Sequence, residues 1–210
     1  MGRRTPRQQR SPPPSLPLDL QAITPFPKVI VFDLDYTLWA RHIDCSYGPP
    51  FTWDKAYGTA RDARGEPLRL FPDVPAILTA LAQRTDTVVA AASRTTTPAW
   101  ARAILPVIQV PVAGDAAARV AADGASHVPL DRFFSPVREI YPTSKLRHFA
   151  AIQAQTGADY RDMLFFDDEF DNIRTIRGLG VTCVYIEEDG MTWRAMREGL
   201  DEWAAARAAS

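Results

Sequence analysis

The sequence predicts an α/β protein, built as a three-layer α/β/α sandwich around a mainly parallel, Rossmann-like sheet. Short apolar segments alternate along the chain with segments of helical periodicity, and this alternation is typical of parallel sheets with helices on both faces. Three of the apolar segments also run directly into polar residues, at the position where open α/β sheets bind ligands. The length of 210 residues suits one domain with a substantial core.

The secondary-structure elements can be predicted in order along the chain. Short apolar runs predict strands over residues 29–32, 88–92, 163–166 and 181–186. Apolar residues at helical spacing predict helices over residues 72–84, 97–105, 144–155, 170–177 and 193–206. Start signals support two of these helices, because Pro72 and Pro98 stand where a first turn favours proline.

Two connecting segments lack a clear period. Residues 40–70 are rich in Gly, Pro, Asp and aromatic residues and are expected to form loops and a small hairpin. Residues 106–132 are expected to form an irregular insertion with a short helix around residues 116–121. The intervals between the polar strand ends must also hold the core helices, so the sequence predicts no large cap domain.

Residues 1–27 differ in composition from the rest, and we expect them to form a disordered leader before one domain over residues 28–206. The leader holds seven of the eighteen prolines and has too little apolar area to fold alone. Residues 1–28 carry five Lys or Arg residues against one Asp, so with an overall net charge of −1 the remainder is near −5. An Arg-rich N-terminus is also compatible with an organelle-targeting segment, although the proline triplet opposes an amphipathic helix.

Charge and composition disfavour several partners. A mildly acidic body lacks the basic face that nucleic-acid binding needs, and no apolar run is long enough for a membrane span. Cys45 and Cys183 lie far apart and show no metal-ligand spacing, so a cytoplasmic, reducing location is expected. The three histidines form no ligand pattern either, and each is expected to be a surface or loop residue.

An acidic pair follows the first predicted strand. Asp33 and Asp35 are one residue apart, so an extended chain points both side chains the same way at the ligand-binding end of the sheet. Such a pair can hold a hard cation through oxygen ligands, while one carboxylate attacks as a nucleophile and the other moves a proton. The alternative is an Asp-rich turn with no chemical role.

Candidate phosphate-binding residues follow the second strand and open the third helix. Ser93, with Arg94 after it, stands beside a helix N-terminus, where a hydroxyl, backbone N–H groups and the helix dipole favour anions. Taken alone, such a turn is usually only a helix cap. Lys145 could neutralise both a phosphate and an attacking carboxylate, although one lysine is usually a solvated surface charge.

Adjacent acids follow the strand predicted over residues 163–166. Asp167 and Asp168 repel each other unless a cation lies between them, and Asn172 comes four residues after Asp168. Mg²⁺ fits this pattern, because it takes a few carboxylates together with waters and substrate phosphate. The alternative is a solvated acid cluster at a helix N-terminus.

These motifs resemble those of the haloacid dehalogenase superfamily, in which each also ends an apolar strand. Within it, the runs Phe-Asp-Leu-Asp-Tyr-Thr-Leu-Trp, Ala-Ala-Ser-Arg-Thr, Glu-Ile-Tyr-Pro before Ser-Lys, Phe-Phe-Asp-Asp-Glu and Leu-Gly-Val-Thr-Cys are similar to the magnesium-dependent phosphatase 1 family. The resemblance spans residues 28 to 203. It does not cover the leader, and the insertion at residues 106–132 is longer than the family's usual connection.

The resemblance implies a role for each candidate residue. Asp33 would be the nucleophile that forms an aspartyl-phosphate, and Asp35 the general acid and then the general base. Ser93 and Lys145, with Arg94 beside them, would bind the phosphoryl group. Mg²⁺ would be held by Asp33, by the backbone carbonyl of Asp35 and by Asp168. Asp167 and Asn172 would support the site as direct or water-mediated contacts.

The substrate stays open at this point. The resemblance implies hydrolysis of phosphomonoesters, with small phosphorylated metabolites or aryl phosphates favoured. Protein phosphotyrosine is an alternative substrate, because a site without a large cap could also admit a bulky one. A catalytically silent phosphate-binding or scaffold module is an alternative of another class.

Overall fold

The structure, a computed structural model, describes residues 16–112, 120, 125–134 and 136–208. Its strands are β1 (Val29–Phe32), β2 (Thr52–Asp54), β3 (Thr59–Arg61), β4 (Pro67–Leu68), β5 (Val88–Ser93), β6 (Gln109–Pro111), β7 (His127–Pro129), β8 (Arg138–Ile140), β9 (Met163–Asp167) and β10 (Thr182–Tyr185). Its α-helices are α1 (Val74–Ala82), α2 (Pro98–Ile104), α3 (Lys145–Thr156), α4 (Phe170–Arg177) and α5 (Trp193–Ala208).

A five-stranded parallel sheet forms the centre, in the order β10, β9, β1, β5, β8. The central strand β1 is buried along its whole length, as expected for a parallel strand covered on both faces. Alternate residues of the sheet point to two separate apolar clusters. One cluster contains Phe32 and residues of α1 and α5, and the other contains Val31 and residues of α3 and α4. The predicted α/β/α architecture is therefore confirmed.

The predicted strands and helices agree with the structure to within about two residues at each end, but one strand of the sheet was not predicted. The edge strand β8 has only three residues, of which Ile140 alone is buried. So short a segment carries no periodic signal. Helix α3 follows β8 and ends at Gly157, whose φ of +68° is the left-handed conformation that favours glycine at a helix end.

The two connecting segments contain more structure than predicted. Residues 40–70 form a three-stranded antiparallel sheet of β2, β3 and β4 rather than one hairpin. The insertion at residues 106–132 contains the antiparallel pair β6 and β7, so its irregular assignment was wrong at those residues. The helix predicted around residues 116–121 lies, apart from Val120, outside the described residues.

The predicted disordered leader is wrong for its last part. Residues 16–27 pack on the domain, since Leu20 is 1 % exposed and Phe26 is 8 % exposed. Phe26 lies under the guanidinium of Arg84, 3.8 Å from its ring centre, and Arg84 also donates to the carbonyl of Ile23. These contacts place this part of the proline-rich segment against the domain. Residues 1–15 lie outside the described residues.

Within the described part of the chain, no helix has both the length and the apolar character needed to cross a membrane.

Candidate active site

The candidate active site lies at the carboxyl ends of β1, β5 and β9. The parallel register places Phe32 between Ala91 and Phe166, so the residues that follow these strands meet at one edge of the sheet. The backbone N–H of Asp33 continues the pairing by donating to the Phe166 carbonyl at 2.9 Å. A cleft at this edge is lined by Asp33, Asp35, His42, Asp44, Arg94, Thr95, Asp168, Glu169 and Asn172.

Lys145 is buried between two of the strand-end carboxylates. Lys145 is the first residue of helix α3, and its side chain is inaccessible to solvent. Its ammonium Nζ lies 2.5 Å from Asp33 Oδ1 and 2.8 Å from Asp167 Oδ2, and it also donates to the Ala92 carbonyl. An ammonium has three protons to donate, so these contacts fix the cation at the ends of β1, β5 and β9.

Asp35 lies in the turn after β1, with one oxygen bound by protein donors. The indole Nε1 of Trp39 donates to Asp35 Oδ1 at 2.7 Å, and the backbone N–H of Ile43 donates to the same oxygen at 3.0 Å. The other oxygen, Oδ2, is 3.9 Å from Nδ1 of His42. Tyr36, with a φ of +54°, provides the sharp bend that brings the chain back past Asp35.

The phosphate-binding candidates Ser93 and Arg94 lie at the end of β5. Ser93 is 1 % exposed, and its Oγ accepts from the Thr95 N–H at 3.3 Å. Because the oxygen is the acceptor in this contact, the hydroxyl proton can still be donated to a ligand. The half-exposed guanidinium of Arg94 donates to Glu169 Oε2 at 3.1 Å and to Asn172 Oδ1 at 3.0 Å, across the cleft mouth.

The adjacent acids Asp167 and Asp168 point to different surroundings. Asp167 is fully buried and accepts from Asn172 Nδ2 at 3.0 Å, in addition to its ion pair with Lys145. The backbone N–H of Glu169 also donates to it, at 2.8 Å. Asp168 instead lines the cleft. Asp167 therefore organises Lys145 and Asn172, while Asp168 faces the space where a ligand could lie.

Burial is the main cause that raises the pKa of three acids of the site. Burial raises the pKa of Asp35 to about 6. Burial and the neighbouring Asp167 raise the pKa of Asp168 to about 6 as well. Burial also raises the pKa of Asp33 above its usual range, against the attraction of Lys145. One buried lysine therefore does not neutralise all of these carboxylates.

This excess of buried negative charge fits a bound divalent cation. Among the residues that the structure describes, no three His, Cys, Asp or Glu side chains are placed to hold a metal ion together. The oxygen donors that line the cleft include the carboxylates of Asp33, Asp35 and Asp168. Oxygen donors in this small number suit an ion that keeps several waters or takes ligand oxygens.

Sequence reasoning missed several residues of the cleft. Trp39 is a fully buried aromatic residue, 0 % exposed, yet its indole N–H donates a hydrogen bond to Asp35. His42 was predicted to be a surface or loop residue, and although half-exposed in a loop it also lines the cleft. His148 was wrongly assigned to the surface, because it is 0 % exposed in α3. No spacing in the sequence signals the contacts of Trp39 and His42 with Asp35, which depend on the turn after β1.

Comparison with known proteins agrees with this geometry. The chain matches the family described as Acid Phosphatase over residues 25–206. It is 40 % identical over 181 residues to magnesium-dependent phosphatase 1 of Homo sapiens, and the match covers 86 % of this chain and 89 % of that protein. It is also 39 % identical over 158 residues to a HAD-like hydrolase superfamily protein of Schizosaccharomyces pombe, covering 75 % of this chain and 84 % of that protein. These matches confirm the predicted resemblance, and the chain therefore belongs to the acid phosphatase family.

Proposed function

We propose that this protein is a magnesium-dependent phosphatase that hydrolyses phosphomonoesters through an aspartyl-phosphate on Asp33. The observation that carries the proposal is the buried contact of Lys145 with Asp33 at the sheet edge. A lysine at 2.5 Å favours the ionised form of this buried carboxylate against the cost of its burial, and it also offsets the charge of an approaching phosphate. The name of the human relative, which is similar over most of its length, supports the same activity.

The chemistry divides into two half-reactions. In the first, a carboxylate oxygen of Asp33 bonds to phosphorus, the phosphorus–oxygen ester bond breaks, and Asp35 donates a proton to the leaving oxygen. In the second, a water oxygen bonds to phosphorus while Asp35 takes the water proton. The bond between phosphorus and Asp33 then breaks, which releases phosphate and restores the carboxylate. A pKa of about 6 lets Asp35 serve both roles near neutral pH.

The remaining residues bind and orient the phosphoryl group. Ser93 and Arg94 would donate to its oxygens, and Lys145 would offset their charge. Mg²⁺ would be held by Asp33, the Asp35 carbonyl and Asp168, with Asp167 and Asn172 as supporting residues. When bound, the ion supplies positive charge that stabilises the transferring phosphoryl oxygens.

The substrate that we propose is a small phosphorylated metabolite or an aryl phosphate. The described parts of the connections at residues 40–70 and 106–132 form short strands of two or three residues and single 3-10 turns. Tyr36 is 41 % exposed and in contact with His42, their ring centres 4.8 Å apart. An aromatic pair beside Asp35 favours an aryl leaving group, a feature that phosphotyrosine shares. Protein phosphotyrosine therefore remains the second candidate substrate.

Hydrolysis of 4-nitrophenyl phosphate by the wild-type protein and by Asp33→Asn tests the mechanism. We expect turnover that stops in excess chelator and returns with Mg²⁺, and a phosphoenzyme that forms in the wild type alone. Asp159→Asn is the matched control, because Asp159 is an exposed carboxylate remote from the cleft. Retention of more than about a tenth of wild-type kcat in Asp33→Asn would refute the covalent route. No turnover of any ester by folded wild-type protein with Mg²⁺ would favour the silent phosphate-binding module.

A panel of phosphorylated sugars, other small phosphate esters and phosphotyrosine peptides, ranked by kcat/KM, tests the substrate class. Small esters should rank first if the cleft is shaped for metabolites. Phosphotyrosine peptides that exceed 4-nitrophenyl phosphate by more than about tenfold would show that residues outside the cleft contribute to binding, and would favour the protein-phosphatase alternative.

A further inference from the structure

The buried indole of Trp39 binds the carboxylate that the proposed mechanism uses for proton transfer. Trp39 is 0 % exposed, and its Nε1 donates to Asp35 Oδ1 at 2.7 Å. The backbone N–H of Ile43 donates to the same oxygen at 3.0 Å. Both donors thus converge on Oδ1, while Oδ2 lies on the side of His42, which lines the cleft.

The main chain of Trp39 is held from two sides, and its ring is completely buried. The N–H of Tyr36 donates to the Trp39 carbonyl at 2.8 Å, which closes the turn after β1. Trp39 also forms an antiparallel bridge with Leu70, at the end of the segment that carries β2 to β4. The indole is therefore fixed by tertiary structure, and it does not follow Asp35 if that carboxylate rotates.

We propose that Trp39 is a positioning residue that assigns proton transfer to Oδ2 of Asp35, an inference that rests on the proposed phosphatase function. Two donors on Oδ1 stabilise negative charge there, so the proton of the acid form resides on Oδ2. They also restrict rotation of the carboxyl group. The proton on Oδ2 passes to the leaving oxygen as the phosphorus–oxygen ester bond breaks, and it is replaced by a proton from the water that attacks in the second half-reaction.

Trp39→Phe tests the proposal, because it keeps an aromatic ring and removes the N–H donor. The value of kcat/KM reports the steps up to loss of the leaving group, where a poor leaving group needs a proton and 4-nitrophenolate does not. We expect kcat/KM to fall about tenfold or more for glycerol 2-phosphate, the effect of one hydrogen bond to a charged group. For 4-nitrophenyl phosphate we expect less than about a threefold change.

Trp203→Phe is the matched control. Trp203 is 2 % exposed in α5, and its Nε1 also donates one hydrogen bond, to the Arg161 carbonyl at 3.0 Å. The control variant loses the same donor from an equally buried ring that is remote from Asp35. It should leave the ratio of kcat/KM for the two substrates unchanged, whatever it does to thermal stability.

A double-mutant cycle separates the inference from the function on which it rests. Asp35→Asn should lower kcat/KM far more for glycerol 2-phosphate than for 4-nitrophenyl phosphate, and Trp39→Phe should then add nothing in the Asp35→Asn background. If Asp35→Asn affects both substrates equally, the proposed role of Asp35 itself is wrong. Asp35→Asn could instead lower kcat/KM mainly for glycerol 2-phosphate while Trp39→Phe lowers kcat/KM equally for the two substrates. In that case Trp39 acts only in packing and the inference is overturned.

A spectroscopic measurement covers the case in which Trp39→Phe does not fold. In ¹⁵N-labelled protein, the indole N–H signal of Trp39 should move upfield when Asp35→Leu removes its acceptor, while the Trp203 signal stays in place. An unmoved Trp39 signal would show that the indole does not bind Asp35 in solution and would overturn the inference.

Discussion

Replacement of Lys145 by Met should cost the metal-free protein about 4 kcal/mol of unfolding free energy. The ammonium lies 2.5 Å from Asp33 and 2.8 Å from Asp167, with no solvent exposure. At an effective dielectric constant of about 20, each contact contributes about 6 kcal/mol of Coulomb attraction, most of which offsets the desolvation of the charges. Removal of one partner from a buried pair typically costs about 3 to 5 kcal/mol. Lys145→Met strands two carboxylates, and about 4 kcal/mol, the middle of that range, is therefore a conservative expectation.

Urea denaturation in excess chelator measures this cost, and Lys28→Met is the matched control. Lys28 forms an ion pair of similar length, 2.7 Å from Asp162 Oδ2, but its side chain is 64 % exposed. Asp162 also keeps Arg207 as a partner. We expect the control to lose no more than about 1 kcal/mol. The comparison therefore contrasts a buried lysine that two carboxylates depend on with an exposed one whose partner keeps a second cation, at nearly the same ion-pair length.

The reasoning is refuted if Lys145→Met in chelator stays within about 1 kcal/mol of the wild type. A second test uses the sign of a coupling. Asp33→Asn added to Lys145→Met should restore part of the lost stability, because it removes one of the stranded charges. Further loss in the double variant would also contradict the account. In the presence of Mg²⁺, kcat of Lys145→Met should fall by about 10² to 10³, as for other lost charge-stabilising donors.

Three further predictions concern the metal, pH and packing. Asp168→Ala should raise the Mg²⁺ concentration for half-maximal activity by more than about a hundredfold, and Asn172→Ala, which removes a neutral supporting group, by only about tenfold; equal values would contradict the metal assignment. Burial, with Lys145 nearby, lowers the pKa of His148 to about 4, so its contribution to stability is lost as pH falls from about 6.5 to about 4. His148→Gln should reduce the acid-induced loss in urea denaturation by about 3 kcal/mol across that range, and parallel pH curves would refute the assignment. Gly190→Ala should lower thermal stability sharply, because a Cβ there would lie 2.0 Å from the Phe71 ring; an unchanged melting temperature would refute that contact.

The sequence predicted the sheet because its strands are apolar on both faces. Residues 29–32 form an uninterrupted apolar run, and in the structure all four are buried. The edge strand Arg138–Ile140 was missed because an edge needs only one buried residue, here Ile140, to pair. The short strands β2 to β4 were read as loops and one hairpin for the same reason. Three residues are too few to establish a period of two.

The strand-end residues of the site could be predicted, but the residues around them could not. The positions of Asp33 and Asp167 follow from the strands that they end. The contact of Trp39 with Asp35 depends on a left-handed Tyr36 and on a bridge to Leu70, 31 positions further along the chain. An apolar residue after a strand is typical of the core, and nothing in the sequence indicates that the indole N–H of Trp39 binds a carboxylate.

The parallel register itself explains why this edge of the sheet requires cations. Phe32 pairs with Phe166, so Asp33 and Asp167 follow equivalent positions on neighbouring strands and their carboxylates are forced close together. The repulsion would oppose folding unless a cation lay between them, and Lys145 occupies that position from the first turn of α3. The ion pairs of Lys145 are with Asp33 and Asp167. Burial raises the pKa of Asp35 and of Asp168 to about 6. The lysine therefore offsets part of the charge of Asp33 and Asp167, and a divalent ion held by Asp33 and Asp168 would offset charge that the lysine leaves, as well as that of a bound phosphate.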